Sequence, residues 1–227
     1  MMRIDIISAV PDLLTSPLNT SIVKRSQDKG KVEIHIHNLR DYAYDKHKQI
    51  DDKPFSGGPG MILKPEPFFE CIEKLQRDRK YDHILLTSPK GKVFNQSLAN
   101  RISLAENIII LAGHYKGIDD RVREAFVTEE ISIGNFVLSG GELPALMITD
   151  AVIRLIPGVL NDSESALNDS LMDGNYIEAP CYTRPAEYKG MRVPDVLLSG
   201  NEKLINNWKE EQSKILTKKW KNINSME

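Results

Sequence analysis

Apolar and polar positions alternate along the chain in two ways, and each predicts a kind of element. Residues 4–9 and the segment VEIHIHNL at 32–39 alternate with period two, as half-buried strands do. Three later runs, HILLTSPKG, NIIILAGHYKG and ISIGNFVLSGG, are continuously apolar up to their polar or glycine-rich ends. Such runs are typical of strands covered on both faces. Helical segments lie between them, so the pattern predicts an α/β fold with a mainly parallel sheet.

The pattern changes after residue 158. Residues 161–175 are rich in Asp, Ser and Asn, which is typical of a mobile linker. Beyond them, apolar residues recur at helical spacing, namely Leu204, Ile205, Trp208, Ile215 and Leu216. We therefore expect three parts: an α/β domain at residues 1–160, a flexible interdomain linker at 161–175 and a small α-helical domain at 176–227.

The composition is that of an ordinary globular protein, with 41% hydrophobic and 27% charged residues and a formal net charge of −2. Residues 181–227 are mildly basic, with nine Lys and Arg against six Asp and Glu. Cys71 and Cys181 form no CxxC pair, which argues against a disulfide framework and a zinc site. The first ten residues alternate like a strand, and no apolar run reaches the ~20 residues of a membrane span. We expect a cytoplasmic protein without membrane contact.

His35 and His37 fall on one face of the predicted strand at 32–39. Two histidines at this spacing could contribute to a metal site, but no third ligand follows at metal spacing. We therefore expect a solvent-facing strand and no metal ligands here.

The three apolar runs lead into loops with glycine, and the paired Gly140 and Gly141 are the most marked case. In an open parallel sheet, ligands bind beyond the carboxyl ends of the strands, so these loops predict one shared crevice. Their spacing matches neither the dinucleotide motif GxGxxG nor a Walker phosphate loop. Glycine would let a flat ligand such as an adenine ring approach the backbone. The alternative, for each loop alone, is a simple turn.

Motifs along nearly the whole chain resemble one family, the bacterial tRNA (guanine-N1)-methyltransferases of the SPOUT trefoil-knot class. The matching segments, in order, are GGPGM (57–61), SPKG (88–91), GHYKGIDDR (113–121), SIGNFVLSGGELPA (132–145), DAVIRLIPGVL (150–160), NDSLMDG (168–174), YTRP (182–185) and VPDVLLSGN (193–201). Together these motifs are highly specific, although each alone would be weak.

The resemblance implies a deep trefoil knot in the sheet, a homodimer, and S-adenosylmethionine as the methyl donor. Residues 1–160 would then be the knotted cofactor-binding domain and residues 176–227 the tRNA-binding domain. The substrate would be tRNA, methylated on N1 of the guanosine 3′ of the anticodon, position 37. By motif position, the cofactor would be bound by Thr87, Ser88, Pro89, Gly113, Tyr115, Gly117, Ile133, Gly134, Asn135, Phe136, Val137, Leu138, Gly140 and Gly141.

The resemblance also implies a catalytic pair. Asp169, in the linker, would be the base that takes the N1 proton of guanine, and Arg154 would stabilise the charge that develops on O6. The sequence NDS occurs at both 161 and 168, so the residues alone leave Asp162 and Asp169 open, although Asp173-Gly174 favours the second copy. Arg154 could instead form an ordinary helical ion pair with Asp150.

The chain departs from the family pattern at a few positions. Lys116 and His114 stand where many members carry Glu and Arg, and Lys116 argues against the family's magnesium dependence because an ammonium group cannot ligate a cation. The lysines and tryptophans of the last domain would contact RNA. Two alternatives remain at this point: a non-catalytic RNA-binding protein of the same fold, and a related knotted ribose 2′-O-methyltransferase.

Overall fold

The structure is a computed structural model of the 227-residue chain, and it describes residues 1–160, 170–172 and 176–224. The chain divides into two compact units, Met1–Asn161 and Asp162–Glu227. In the first unit the strands are β1 (Met2–Ser8), β2 (Val32–Asn38), β3 (Asp51–Asp52), β4 (Ile62–Leu63), β5 (His83–Val93), β6 (Asn107–Ala112) and β7 (Glu129–Ser132). Its helices are α1 (Asp12–Leu18), α2 (Ser21–Asp28), α3 (Pro65–Asp78), α4 (Gln96–Ile102), α5 (Asp120–Phe126) and α6 (Glu142–Ile153), with a 3₁₀ turn at Leu39–Tyr42.

Five strands form one sheet in the order β2-β1-β6-β5-β7, and all neighbouring pairs are parallel. The predicted α/β fold with a parallel sheet is therefore confirmed. Helices α1, α2, α4 and α6 contribute to the hydrophobic cluster on one face, and α3 and α5 to the cluster on the other. In β6, Ile108 and Ile110 belong to the first cluster, while Ile109 and Leu111 belong to the second. Burial on both faces explains why this strand is apolar at successive positions.

Strand β5 continues through the SPKG segment, which the sequence suggested as a loop. Its pairing with β7 runs to Thr87 and resumes at Lys92, with a register shift between the two residues. The intervening residues 88–91 therefore form an irregularity inside the strand. This irregularity places Ser88 and Pro89 at the edge of the sheet where ligands bind in parallel folds.

A buried carboxylate, Asp5, lies in the middle of β1. It accepts hydrogen bonds from Arg3 Nε and Nη2 at 2.7 and 2.9 Å, from His37 Nε2 at 2.7 Å and from Tyr81 Oη at 2.7 Å. Burial alone would raise the pKa of Asp5, but the bonds from His37, Arg3 and Tyr81 together hold that pKa well below its usual range. The expectation that His37 faces solvent is wrong, because its side chain is 16% exposed and serves this carboxylate.

The described part of the second unit contains a short hairpin and a long helix. Its elements are β8 (Glu187–Tyr188), β9 (Met191–Arg192), α7 (Asp195–Leu198) and α8 (Glu202–Asn224). The helix predicted from apolar spacing is α8, and it carries both tryptophans of the chain, Trp208 and Trp220. The segment before the hairpin is bonded to this helix, since Ser213 Oγ donates to Tyr176 Oη at 2.8 Å. The sequence did not predict the hairpin.

Candidate functional site

A crevice lies at the carboxyl ends of β5, β6 and β7, the edge where ligands bind in parallel sheets. It consists of two adjoining open cavities, one larger than the other, that share a wall at Thr87, Ser88 and Pro89. The residues that line it include Thr87, Ser88, Pro89, Gly113, Tyr115, Gly117, Ile133, Gly134, Phe136, Val137, Leu138, Gly140 and Gly141. Asn135 is exposed and lies outside both walls. The structure thus brings the other thirteen residues named from the motifs into one place.

Among the wall residues that sequence reasoning did not assign to the cofactor are His114, Ser139 and Pro144. His114 and Ser139 line the larger cavity, and Pro144 lines the smaller one. Each of these residues lies inside a motif that carries the family resemblance, and its place in that motif could have indicated that it lines the crevice. Its side-chain chemistry gave no reason to select it.

Gly140 and Gly141 are packed against protein atoms. A Cβ atom at Gly141 would collide with Thr87 Oγ1 and lie 2.7 Å from Gly113 N. The backbone of Gly141 also donates a hydrogen bond to Gly113 O at 2.6 Å. The two loops therefore approach as closely as they do because these positions have no side chain. This is a second reason for the glycines, beside the expected approach of a flat ligand.

The loop after β6 is braced by the segment that follows the GGPGM motif. Lys116 N donates to Met61 O and Leu63 N donates to Gly117 O, both at 3.0 Å. The side chain of Lys116 lies across Gly60, where a Cβ atom would stand 2.8 Å from its Cε. The GGPGM loop is thereby joined to one wall of the crevice.

Charged groups of both signs line the larger cavity, among them Lys90, Lys116, Asp120, Arg123 and Glu130. Arg123 Nε donates to Asp120 Oδ1 at 2.6 Å, and this hydrogen bond lowers the pKa of Asp120 from its ordinary value. Asp120 is therefore a carboxylate at neutral pH, already paired with a guanidinium. The mixed charges suit a ligand that carries both an amino and a carboxylate group.

Glu142, the first residue of α6, is 1% exposed and lies behind the crevice. Its Oε1 accepts a hydrogen bond from Ser8 Oγ at 2.8 Å, at the carboxyl end of β1. Its Oε2 lies 3.7 Å from His114 Nδ1, and both atoms are buried without a hydrogen-bond partner among the described residues. A carboxylate at a helix N-terminus is favoured by the helix dipole, which offsets part of the cost of its burial.

Arg154 lies just after the last residue of α6, at the far end from the crevice. Twelve residues separate it from Glu142, which at 1.5 Å per residue is about 18 Å along the helix axis. Its side chain is half-buried, and it follows the exposed residues Leu143, Met147 and Asp150 at helical spacing on the same face. The structure therefore separates Arg154 from the crevice of its own chain. The other proposed catalytic residue, Asp169, lies outside the described residues, as does Asp162.

Within residues 1–160, 170–172 and 176–224, no group of three or more His, Cys, Asp or Glu side chains is placed to hold a metal ion. Over the same ranges, the structure has no helix with the length and apolar character needed to cross a membrane.

A parallel sheet with glycine-rich loops around a crevice at its carboxyl edge defines an α/β protein with a ligand-binding type of crevice. The family model for tRNA (Guanine-1)-methyltransferase TrmD matches residues 2–223 of the chain. The chain therefore belongs to the tRNA (guanine-1)-methyltransferase family.

Relatives and a solved structure agree with this membership. The tRNA (guanine-N(1)-)-methyltransferase of Bacteroides thetaiotaomicron is 55% identical over 218 residues, which cover 96% of each chain. The enzyme of the same name from Flavobacterium johnsoniae is 57% identical over 210 residues, 92% of each chain. The crystal structure of tRNA (m1G37) methyltransferase from Aquifex aeolicus matches with a TM-score of 0.80 at 40% identity, over 96% of this chain and 92% of that one.

Proposed function

We propose that this tRNA (guanine-N1)-methyltransferase takes its methyl group from S-adenosylmethionine held in the crevice and transfers it to N1 of guanosine 37 of tRNA. The observation that carries the proposal is the convergence of three motif-bearing loops on one crevice in a chain of this family. The position of the target guanosine is inferred from the tRNA (m1G37) methyltransferase of Aquifex aeolicus, whose structure is similar over 96% of this chain.

The residues of the crevice fit such a methyl donor. Ile133, Leu138 and Pro144 offer apolar contact to an adenine ring, and the glycine-rich backbone offers amide and carbonyl groups to its edge. The mixed charges of the larger cavity suit the amino and carboxylate groups of the methionine part. S-adenosylmethionine supplies an electrophilic methyl group on a sulfonium centre.

The protein's part in the chemistry is to position guanine and to remove its N1 proton. Guanine N1 is a poor nucleophile while it carries that proton, and we assign its removal to Asp169 as general base. We assign to Arg154 a hydrogen bond to guanine O6, where negative charge develops as the proton leaves. Holding N1 in line with the methyl group contributes the remaining part of the rate.

A second copy of the chain would complete the site. Arg154 lies about 18 Å along α6 from the crevice of its own chain, which is farther than an arginine side chain reaches. It shares its helix face with Leu143 and Met147, whose side chains are 50% and 53% exposed. An exposed apolar face of this kind is typical of a protein interface. We propose a homodimer in which this face of α6 is covered and Arg154 of one subunit serves the crevice of the other.

The second unit would bind the tRNA backbone. Lys214, Lys218 and Lys221 lie together on α8, where a groove also contains Tyr176. Lysines along a helix attract phosphates through a salt-dependent interaction. Because tRNA is modified in the cytoplasm, we propose that the protein acts there.

Magnesium does not fit at position 116. The Lys116 side chain lies across Gly60 at the crevice, and an ammonium group has no lone pair for a cation. We therefore derive no catalytic step through a metal ion there.

Methyl transfer to an unmodified tRNA with guanosines at positions 36 and 37 tests the proposal. The product is digested to nucleosides, and the wild type should give 1-methylguanosine in the presence of S-adenosylmethionine. Asp169→Asn should lose at least about a hundredfold in rate, the lower bound of general-base catalysis. Asp162→Asn, in the other NDS copy, is the matched control and should keep the wild-type rate. Binding of tRNA without any methylated guanine would leave a non-catalytic RNA-binding protein.

Mixed dimers test whether Arg154 acts across subunits. Arg154→Ala disables one partner and Leu138→Trp, which fills the crevice, disables the other. After unfolding and joint refolding, half of the dimers carry one chain of each kind, and one of their two sites has no defect. The mixture should therefore regain about a quarter of the wild-type activity. If each chain used its own Arg154, the mixture would be as inactive as either variant.

A further inference from the structure

The loop after β6 contains an imidazole ring whose buried nitrogen faces a buried carboxylate. His114 lines the larger cavity and is 22% exposed, while its Nδ1 is buried. Glu142 Oε2, 3.7 Å away, is buried as well, and neither atom has a hydrogen-bond partner in the described ranges. Burying a polar atom without a hydrogen-bond partner costs free energy of folding. Two such atoms that face each other therefore need an explanation.

The surroundings hold these two groups opposite each other. Ser8 Oγ fixes the other oxygen of Glu142 at 2.8 Å, which leaves Oε2 directed at His114. The backbone of His114 forms an antiparallel bridge with Gly140, where a Cβ atom would stand 2.5 Å from His114 Nδ1. Any side chain larger than glycine at position 140 would thus separate the pair. The ring of Tyr115 packs edge-on to the imidazole at 4.9 Å and restrains its rotation.

A hydrogen bond between the pair requires the two atoms to approach by roughly 0.8 Å, to the usual 2.9 Å. A carboxylate can only accept, so the proton must be on His114 Nδ1. The partner of one ring nitrogen decides which tautomer a histidine adopts, and Nε2 is then left with a lone pair. Because His114 is part of the crevice wall, that lone pair would be available to a ligand.

We propose that Glu142 is a positioning residue that holds His114 in the Nδ1-protonated tautomer, so that His114 Nε2 accepts a hydrogen bond from a hydroxyl or amino group of the methyl donor. This inference rests on the proposed function of the crevice. It assigns a ligand-binding role to His114, at a position where the family pattern carries a different residue. It also explains why position 140 is a glycine without requiring that Gly140 contact a ligand.

The tautomer is measured by nitrogen-15 NMR of the full chain labelled at histidine. In the wild type, the His114 signals should be those of a ring protonated at Nδ1. Glu142→Gln keeps the shape of the side chain but turns its amide nitrogen, a donor, towards His114. The signals should then change to those of the Nε2-protonated tautomer. A wild-type ring protonated only at Nε2, or no change in the variant, overturns the inference.

Ligand binding is measured by calorimetry with S-adenosylhomocysteine and two analogues, one without the ribose hydroxyls and one without the amino group. For the wild type, one analogue should bind about three- to tenfold more weakly than the parent, which identifies the group that donates to His114. His114→Phe, which keeps a ring in place, should bind the parent and that analogue alike. If Glu142→Gln does not fold, the comparison of His114→Phe with the wild type still tests the inference.

The outcomes separate the two proposals. If the wild type binds S-adenosylhomocysteine and His114→Phe binds it as tightly, the role of His114 fails and the proposed function stands. If the wild type neither binds S-adenosylhomocysteine nor methylates tRNA, both fail together.

Discussion

Replacing Asp5 by Asn removes a buried charge that four hydrogen bonds satisfy. Oδ1 accepts from Arg3 and His37, and Oδ2 accepts from Arg3 and Tyr81. In either orientation, the asparagine amide nitrogen cannot accept, so one of the two bonds from Arg3 is lost. The bond to His37 or to Tyr81 at the same atom survives only if that group becomes the acceptor. A hydrogen bond to a charged group contributes about 1.5–3 kcal/mol, and breaking a buried pair costs about 3–5 kcal/mol. We therefore expect Asp5→Asn to lower the free energy of unfolding by about 4 kcal/mol.

Urea unfolding followed by far-ultraviolet circular dichroism measures this loss at one fixed protein concentration. With a slope of about 3 kcal/mol per molar urea, the midpoint should fall by about 1.3 M. The matched control is Glu33→Gln, because Glu33 lies 3.5 Å from the same Arg3 but its side chain is 40% exposed. In that variant the free energy of unfolding should fall by less than about 1 kcal/mol. Equal losses in the two variants would contradict the role assigned to burial.

The pH dependence of this difference has a definite sign. The folded-state pKa of Asp5 lies below that of an unfolded aspartate, about 3.9. The stability contributed by Asp5 is therefore present above pH ~4 and is lost as the pH falls through the folded-state value. The difference between wild type and Asp5→Asn should be constant from pH 5 to 7 and should shrink towards pH 3. A difference independent of pH down to 3 would refute the reasoning.

Three further predictions concern other positions. Gly141→Ala should lower the free energy of unfolding, measured by thermal unfolding, by about 2 kcal/mol through steric overlap. Gly113→Ala, whose Cβ would stand 3.7 Å from its nearest neighbour, should lower it by less than about 1 kcal/mol in the same measurement. Burial raises the pKa of the Cys71 thiol to about 12. At pH 8, a thiol-specific chromogenic reagent should therefore modify only the exposed Cys181 in the native protein. Two fast-reacting thiols would contradict this prediction. Asn95→Ala removes the side-chain cap of α4 and should cost about 1 kcal/mol in urea unfolding; no loss would mean that the cap is dispensable.

The parallel sheet could be predicted because burial on both faces leaves a direct trace in the sequence. Strand β6 is apolar at each position from Ile108 to Ala112, and all five residues are buried. The crevice could be located because glycines follow the strands, and parallel strands end at one edge. The knot stays a prediction, because the order of the strands alone does not fix how the chain passes through its loops.

The buried polar groups could not be predicted, because their partners are remote in the sequence. Glu142 is bonded to Ser8 across 134 positions, and Asp5 to Tyr81 across 76. From the sequence alone, Glu142 is an acid at a helix start and Asp5 is a polar position in a strand. Only the fold brings the hydroxyl groups to them. For the same reason, His37 was expected to face water.

Both tryptophans lie on α8, so indole emission from this protein originates in the second unit alone. Trp208 has Tyr182 as a ring neighbour at 6.4 Å, an arrangement in which excitation of the tyrosine can pass to the indole. A nucleobase stacked on either indole would quench its emission. If the second unit binds tRNA as proposed, the two indoles would report that binding optically, separately from the calorimetric signal proposed for the crevice of the first unit.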